Sequence, residues 1–271
     1  MHRIASLPGN EPQEEITFIE QPKAPVIFLT SASTDITCLS SVLKLPENKK
    51  WKNKIRALPI SYLSSNASID HYISNTCNKA EIIVVRFLGS KSYWSYGFEQ
   101  LKLWEIEKPN RYLIVISGID SNANDLKDIN SMDKSQVEFI QLLLNQGGIN
   151  NFNYFLEILD KLRWKSTINI DTNLVEYHDE LIKWKWTKNK YPNIVIFLYK
   201  SLYQSGNTEL AESIIEIAKK YHLNPKIIWI TSFKSKDIKQ NIIDLLNTQK
   251  VEAIITTTSF SSVEFNQSDK I

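Results

Sequence analysis

Seven short apolar runs punctuate the chain: PVIFLTS (25–31), KIRALPI (54–60), IIVVRFL (82–88), YLIVISG (112–118), NIVIFLYK (193–200), KIIWITSF (226–233) and EAIITTTSF (252–260). Most are apolar at every position instead of alternating with polar residues. That is what strands buried on both faces require, as in a parallel sheet clad by helices. The segments between them carry helical periodicity. In TELAESIIEIAKKYHL, residues 208–223, the apolar positions Leu210, Ile214, Ile217, Ala218 and Tyr221 form one stripe expected to face the core. Gly206-Asn207-Thr208 offers its N-terminal cap, and Lys219, Lys220 and His222 close it before Asn224-Pro225. KDIKQNIIDLLNTQ repeats the logic with Ile238, Ile242, Leu245 and Leu246 behind Ser235, and Ser131 is placed to cap a helix that stops at Gly147-Gly148.

The order is βαβαβαβα, a mostly helical connector over 149–190, then βαβαβ. The fold class expected is α/β, with two open, mainly parallel sheets bearing helices on both faces. Residues 1–24 form an extension, 25–148 a first domain, and 191–271 the start of a second. The last strand runs into SSVEFNQSDKI, so the second sheet is expected to be incomplete and the chain to be the opening portion of a longer polypeptide.

Composition narrows the picture. The 271 residues carry 32 basic and 30 acidic side chains, a net charge of +2, which argues against nucleic acid as the main partner. The one dense basic cluster, Lys183–Lys190, includes Trp184 and Trp186; these are either docking residues or cover for the helix face they occupy. No apolar run approaches the ~18 residues of a membrane span. Cys38 and Cys77 lie far apart with no metal-like spacing, and no secretory segment precedes them, so they are read as reduced thiols in a cytoplasmic protein.

Nucleotide and metal motifs are missing. There is no G-x-G-x-x-G, and GSKS at 89–92 lacks the Gly-Lys pair of a phosphate loop. His2, His71, His178 and His222 are dispersed, with no H-E-x-x-H or C-x-x-C, so no metal site is assigned. What remains is the carboxyl rim of the first sheet, where open α/β sheets bind ligands. Thr34 and Asp35 follow the first strand, and Arg86 ends the third. Tyr93, Trp94 and Tyr96 open the helix behind it. An arginine at the end of a buried strand needs a partner. One reading pairs it structurally with Asp35 while Tyr93 and Trp94 simply pack. The other has Arg86 hold a ligand carboxylate between aromatic faces.

The same residues carry a resemblance. MHRIASLPG, EQPKAPVIFLTSASTDI, VVRFLGSKSYWSYGFEQL, NQGGINN, FLYKSLYQSGNT, LNPKIIWITSFK and ITTTSF resemble the amino-terminal portion of the cobaltochelatase large subunits, in the CobN/magnesium chelatase H subunit family. Ser90 stands where the family has a second glycine, Lys200 where arginine is usual, and the stretch from Ser166 to Tyr191 departs most. The resemblance implies an enzyme subunit that holds hydrogenobyrinic acid a,c-diamide while cobalt(II), a substrate, enters the ring. ATP would be bound and hydrolysed by AAA+ partner subunits. Thr34, Asp35, Arg86, Tyr93, Trp94 and Tyr96 are then the candidate tetrapyrrole-binding residues, and the catalytic acids and bases are expected outside this segment, which alone would be inactive. Two alternatives remain: magnesium insertion into protoporphyrin IX, and a non-catalytic module that docks the ATPase subunits.

Overall fold

The computed structural model describes residues 18–118, 126–233 and 236–258. Four parallel strands, β1 (Val26–Thr30), β2 (Ile55–Pro59), β3 (Ile82–Phe87) and β4 (Tyr112–Ser117), form one sheet in the order β2-β1-β3-β4. A second sheet has the order β5-β7-β6-β8, from β5 (Leu181–Trp184), β6 (Asn193–Tyr199), β7 (Asn224–Ile230) and β8 (Val251–Thr256). Within it β6, β7 and β8 are parallel and β5 is antiparallel to β7. The helices are α1 (Ser33–Leu43), α2 (Asn66–Asn75), α3 (Ser95–Glu107), α4 (Lys134–Gln146), α5 (Ile149–Arg163), α6 (Lys200–Gln204), α7 (Glu209–Lys220) and α8 (Lys236–Gln249).

The chain folds into two compact units that do not follow linear boundaries. One takes the described residues through Ser33, with Lys50–Gln141 and Arg163–Lys165. The other takes Thr34–Lys49, Leu142–Leu162 and the described residues from Ser166 onward. The boundaries drawn at 25–148 and 149–190 therefore give way. Almost all of α1 and α5, which sequence order assigned elsewhere, belongs with the second sheet. The reason lies in their contacts: the Cys38 thiol meets the Gln204 carbonyl at 3.4 Å, and Asn48 Nδ2 donates to Asn153 Oδ1 at 2.6 Å.

In the first unit, Ile27 and Leu29 of β1, Ile83, Val85 and Phe87 of β3, and Leu113 and Val115 of β4 share one face with Phe98, Leu101 and Trp104 of α3 and Ile69 and Tyr72 of α2. Alternate residues Val26, Phe28, Val84 and Ile114 are equally inaccessible to solvent, which is why the strands read as unbroken apolar runs. At the β4 edge, side chains replace a fifth strand. Asn130 exchanges two hydrogen bonds with the Val115 backbone, and Ser131 Oγ accepts from the Leu113 amide and donates to its carbonyl. Ser131 is thus a sheet residue, not the cap expected; the Asp133 carbonyl starts α4 by accepting from Gln136 and Val137. Gly147 and Gly148, at φ of 66° and 91°, do end it.

In the second unit, α7 covers the face carrying Ile194, Ile196, Leu198, Ile227 and Trp229. Helix α8 covers the opposite face, with Val195, Phe197, Ile228 and Ile230. The buried side of α7 follows the expected stripe only in part. Ala218 and Ile214 pack against the sheet, joined by Ala211, while Leu210, Ile217 and Tyr221 are exposed. Two alanines seven residues apart let the helix backbone approach the sheet closely, so the alanine face turns inward. Ser235, expected to cap α8, lies outside the described residues.

The connector is also only partly helical. After α5 the chain reaches β5, which extends the second sheet to four strands where three were expected. Trp184 and Trp186 cover no helix of their own. Trp184 meets the Trp229 ring edge-to-face at 5.7 Å, and Trp186 packs on the other face with its Nε1 donating to the Ile227 carbonyl at 2.8 Å.

Candidate functional site

The strand order locates the first site. The chain passes from β1 outward to β2 and then crosses back to β3, so the topological switch falls between β1 and β3. In open α/β sheets it is at such a switch point, beyond the carboxyl ends of the strands, that ligands bind. Thr30 at the end of β1 is register partner to Arg86 near the end of β3. Around them the Ser31 amide donates to the Arg86 carbonyl at 3.0 Å, the Leu88 amide to Ser31 Oγ at 3.2 Å, and the Ala32 amide to Thr30 Oγ1 at 3.0 Å. Arg86 is half-buried, with its Nε beside Gly118, the residue that follows β4.

Strand periodicity divides the residues proposed around it. Phe87 points to the α2/α3 face, so Arg86, one residue earlier, points to the other. Trp94 belongs with Phe87. Its indole is 7% exposed, stacks on Phe87 with centroids 6.3 Å apart, meets Phe98 edge-to-face at 5.1 Å, and donates Nε1–H to the Leu63 carbonyl at 2.9 Å. Gly97 makes the space: a Cβ there would fall 2.2 Å from the indole. Trp94 is therefore a core residue on the face of the sheet opposite to the one toward which Arg86 points.

Tyr93, its neighbour, is 82% exposed. Tyr96 hydroxyl donates to both carboxylate oxygens of Asp70, at 2.9 and 3.0 Å, and that bond to an anion raises the phenol's pKa. Thr34 and Asp35 lie in the first turn of α1 and are grouped with the second unit. Buried Asp35 raises the pKa of the Cys38 thiol, after burial itself, to about 12.

The second sheet has its own switch point. From β6 the chain moves out to β7 and crosses back to β8, so the switch lies between β6 and β8. Lys200, the first residue after β6, is 8% exposed there, and its Nζ donates to the His178 carbonyl at 3.0 Å. The His178 side chain is 7% exposed, and its Nε2 makes no hydrogen bond; Glu176 Oε2 is 4.0 Å away. The ring meets Tyr203 edge-to-face at 5.7 Å and packs so close to Gly148 that a Cβ would lie 2.7 Å from Nε2. Burial lowers the His178 pKa; Glu176 opposes this, Lys200 adds to it, and a hydrogen bond to the Gly147 backbone opposes it.

Backbone hydrogen bonds fasten the segment carrying His178. The Glu176 amide donates to Asn151 Oδ1 at 2.9 Å, Asn151 Nδ2 donates to the Glu176 carbonyl at 2.8 Å, and the His178 amide donates to Gln146 Oε1 at 3.4 Å. Reasoning from sequence did not assemble this cluster. The available signal was Lys200 itself, a cation ending the apolar run NIVIFLY as Arg86 ends IIVV.

Among the described residues, no group of three or more His, Cys, Asp or Glu could hold a metal ion, and no helix is long and apolar enough to cross a membrane.

Fold and rims together define a doubly wound α/β protein with a cation at the switch point of each of two sheets. Residues 137–271, just under half of the chain, match the CobN/magnesium chelatase family model. It is 24% identical, over 96% of its length, to the aerobic cobaltochelatase subunit CobN of Pseudomonas aeruginosa. A CobN subunit from a Sinorhizobium species is 22% identical over 89%. The chain spans about a fifth of these curated relatives, 22% and 20% of their respective lengths. A solved structure, the catalytic subunit of cobaltochelatase from Mycobacterium tuberculosis, shares the fold at a TM-score of 0.62 and 17% identity, over 88% of this chain and 18% of that one.

Proposed function

We propose that this chain forms the amino-terminal part of the large, tetrapyrrole-binding subunit of an ATP-dependent cobaltochelatase in the cytoplasm. On this reading the complete subunit holds hydrogenobyrinic acid a,c-diamide while cobalt(II) enters the ring, and AAA+ partner subunits bind and hydrolyse ATP. Both curated relatives carry the cobalt name, which favours cobalt over magnesium. The observation that carries the reading is Arg86, a guanidinium at the β1/β3 switch point of a chain aligned along nearly its whole length with a cobaltochelatase subunit. A planar guanidinium suits the carboxylates of a corrinoid precursor. Exposed Tyr93 offers a ring to a flat ligand, whereas Trp94 shapes the core.

Metal insertion requires that the macrocycle be held while pyrrolic nitrogens lose their protons. Arg86 would contribute to holding it; the proton acceptors are assigned to no residue here. The test is fluorescence titration with hydrogenobyrinic acid a,c-diamide of the wild type, Arg86→Lys and Arg86→Ala, alongside melting curves. Losing a charge-assisted pair worth about 1.5–3 kcal/mol weakens binding roughly tenfold to a hundredfold in Arg86→Ala. Equal affinity in all three folded proteins removes Arg86 from the site. Binding of the ATPase subunits without any tetrapyrrole binding would make the segment a docking module.

A further inference from the structure

We infer that the β6/β8 switch point of the second sheet is a binding site for one carboxylate of an organic ligand, with the Lys200 ammonium as counter-charge and His178 Nε2 as a second donor. This goes beyond the reading of Arg86 and does not rest on it, because each sheet has its own switch point.

The placement is the first argument. Lys200 directly follows β6, the strand from which the chain departs both ways, where open α/β sheets take ligands. The second argument is charge. Lys200 is buried with a single backbone carbonyl as hydrogen-bond acceptor; Glu180 and Asp179 favour its charge from a distance, but among the described residues no carboxylate comes within ion-pair distance of its Nζ, and burial still lowers its pKa. A buried ammonium so poorly compensated is costly and is relieved by an anion. The third is His178 Nε2, shielded from solvent and without a hydrogen bond.

The ligand class follows from what is absent around the pair. The amides of the Gly147-Gly148 turn are already committed, to the Leu143 carbonyl at 3.0 Å and the Gln204 carbonyl at 2.8 Å. They cannot form the nest of N–H groups that a phosphate needs. One ammonium and one imidazole match a single negative charge with two oxygens.

Glu176 is the built-in competitor. Its backbone is fixed by Asn151, but its side chain is 39% exposed and stands 4.0 Å from Nε2, beyond hydrogen-bond reach. It can swing outward as a ligand carboxylate enters. Of the charged and titratable groups facing His178, Glu176 and Asp179 favour its protonation and Lys200 opposes it, while Tyr203 presents its ring. A second carboxylate shifts that balance toward the imidazolium, so binding takes up a proton and strengthens as pH falls from 7.5 toward 6.

The experiment labels histidine with ¹⁵N in the 271-residue protein and titrates it with sodium propionate at pH 6, against sodium chloride at equal ionic strength. With four histidines in the chain, His178→Asn assigns the resonances of interest. A saturable shift confined to His178 is expected. It should be retained in Lys200→Arg, weakened about tenfold or more in Lys200→Met, and tightened in Glu176→Gln. Three results overturn the inference: no shift beyond the chloride control, an unchanged titration in folded Lys200→Met, or equal saturable binding of inorganic phosphate. If Lys200→Met does not fold, Glu176→Gln decides, and propionate binding no tighter than in the wild type refutes the site.

Discussion

Replacing Gly97 with alanine sets two physical effects of opposite sign against each other. Gly97 is the third residue of α3, where alanine is favoured over glycine by about 1 kcal/mol, so propensity alone predicts a more stable protein. Packing predicts the reverse. The new Cβ would lie 2.2 Å from Trp94 Cε2 and 2.5 Å from Cδ2 and Cζ2, well inside the ~3.5 Å at which carbon atoms begin to attract. The ring must retreat by roughly 1 Å, and its surroundings resist: Phe98 meets it edge-to-face, Phe87 stacks on it, and Nε1 is bonded to the Leu63 carbonyl.

Overpacking of this kind costs about 1–3 kcal/mol, and breaking the buried indole bond leaves Leu63 unsatisfied for about 1–3 more. After the propensity gain, Gly97→Ala should lose about 1–5 kcal/mol, read as a lowered urea midpoint at constant slope by circular dichroism. In a Trp94→Leu background the clash is gone, and the same substitution should be neutral or stabilising. A Gly97→Ala protein as stable as the wild type would refute the assignment of Trp94 to the core and restore it as a candidate ligand face.

Three further outcomes follow from buried polar groups. His178 has its pKa lowered by burial, so as pH falls the unfolded chain takes up its proton first. Stability from this group is full above the ordinary histidine range, near pH 6.5, and is lost as pH drops below it; melting curves from pH 7.5 to 5.5 should fall more steeply for the wild type than for His178→Gln, and parallel curves would refute the shift. Arg111 bonds the Trp104 and Asn78 carbonyls and Glu107 while its guanidinium stacks 4.6 Å from the Trp104 ring centre. Lysine cannot span both carbonyls, so Arg111→Lys should cost about 1–3 kcal/mol, lowering the melting midpoint by several degrees; an unchanged midpoint would mean that the fork geometry is dispensable. Burial pushes the Cys38 thiol up to about 12, and burial also raises the Cys77 pKa against the pull of Arg111. Both thiols should resist iodoacetamide at pH 8 until denaturant is added, and labelling of the native protein would contradict their burial.

The parts of the fold legible from sequence were those in which every residue of a segment reports the same environment. Five strands, β1, β3, β4, β6 and β7, are buried on both faces and announced themselves as continuous apolar runs, whereas β2 is half-buried and β8, read the same way, is largely exposed at the edge of its sheet. Gly147-Gly148 marked a helix end because the backbone there needs positive φ. β5 stayed hidden because it is four residues long, antiparallel, at a sheet edge, and interrupted by Lys183. The facing of α7 was only partly legible: Ile214 and Ala218 face the sheet as the stripe had them, but Ala211 was overlooked and the larger Leu210, Ile217 and Tyr221, counted as inward, are exposed.

The candidate site shows why adjacency in sequence is a poor guide at a strand end. Arg86 and Trp94 are eight residues apart, yet the two-residue period of β3 puts Arg86 and Phe87 on opposite faces, and Trp94 follows Phe87. His178 and Lys200 are separated by 22 positions, yet a hydrogen bond joins them at the end of β6. What both sites share is readable one strand at a time: an apolar run long enough to be buried ends in a cation. A buried strand gives that cation little water, so the chain must compensate it from a neighbouring element or leave it for a ligand. At Lys200 the described residues supply one carbonyl within hydrogen-bond reach, while Glu180 and Asp179 act on it only from beyond ion-pair distance. A buried cation at that position is therefore better accounted for by binding than by stability.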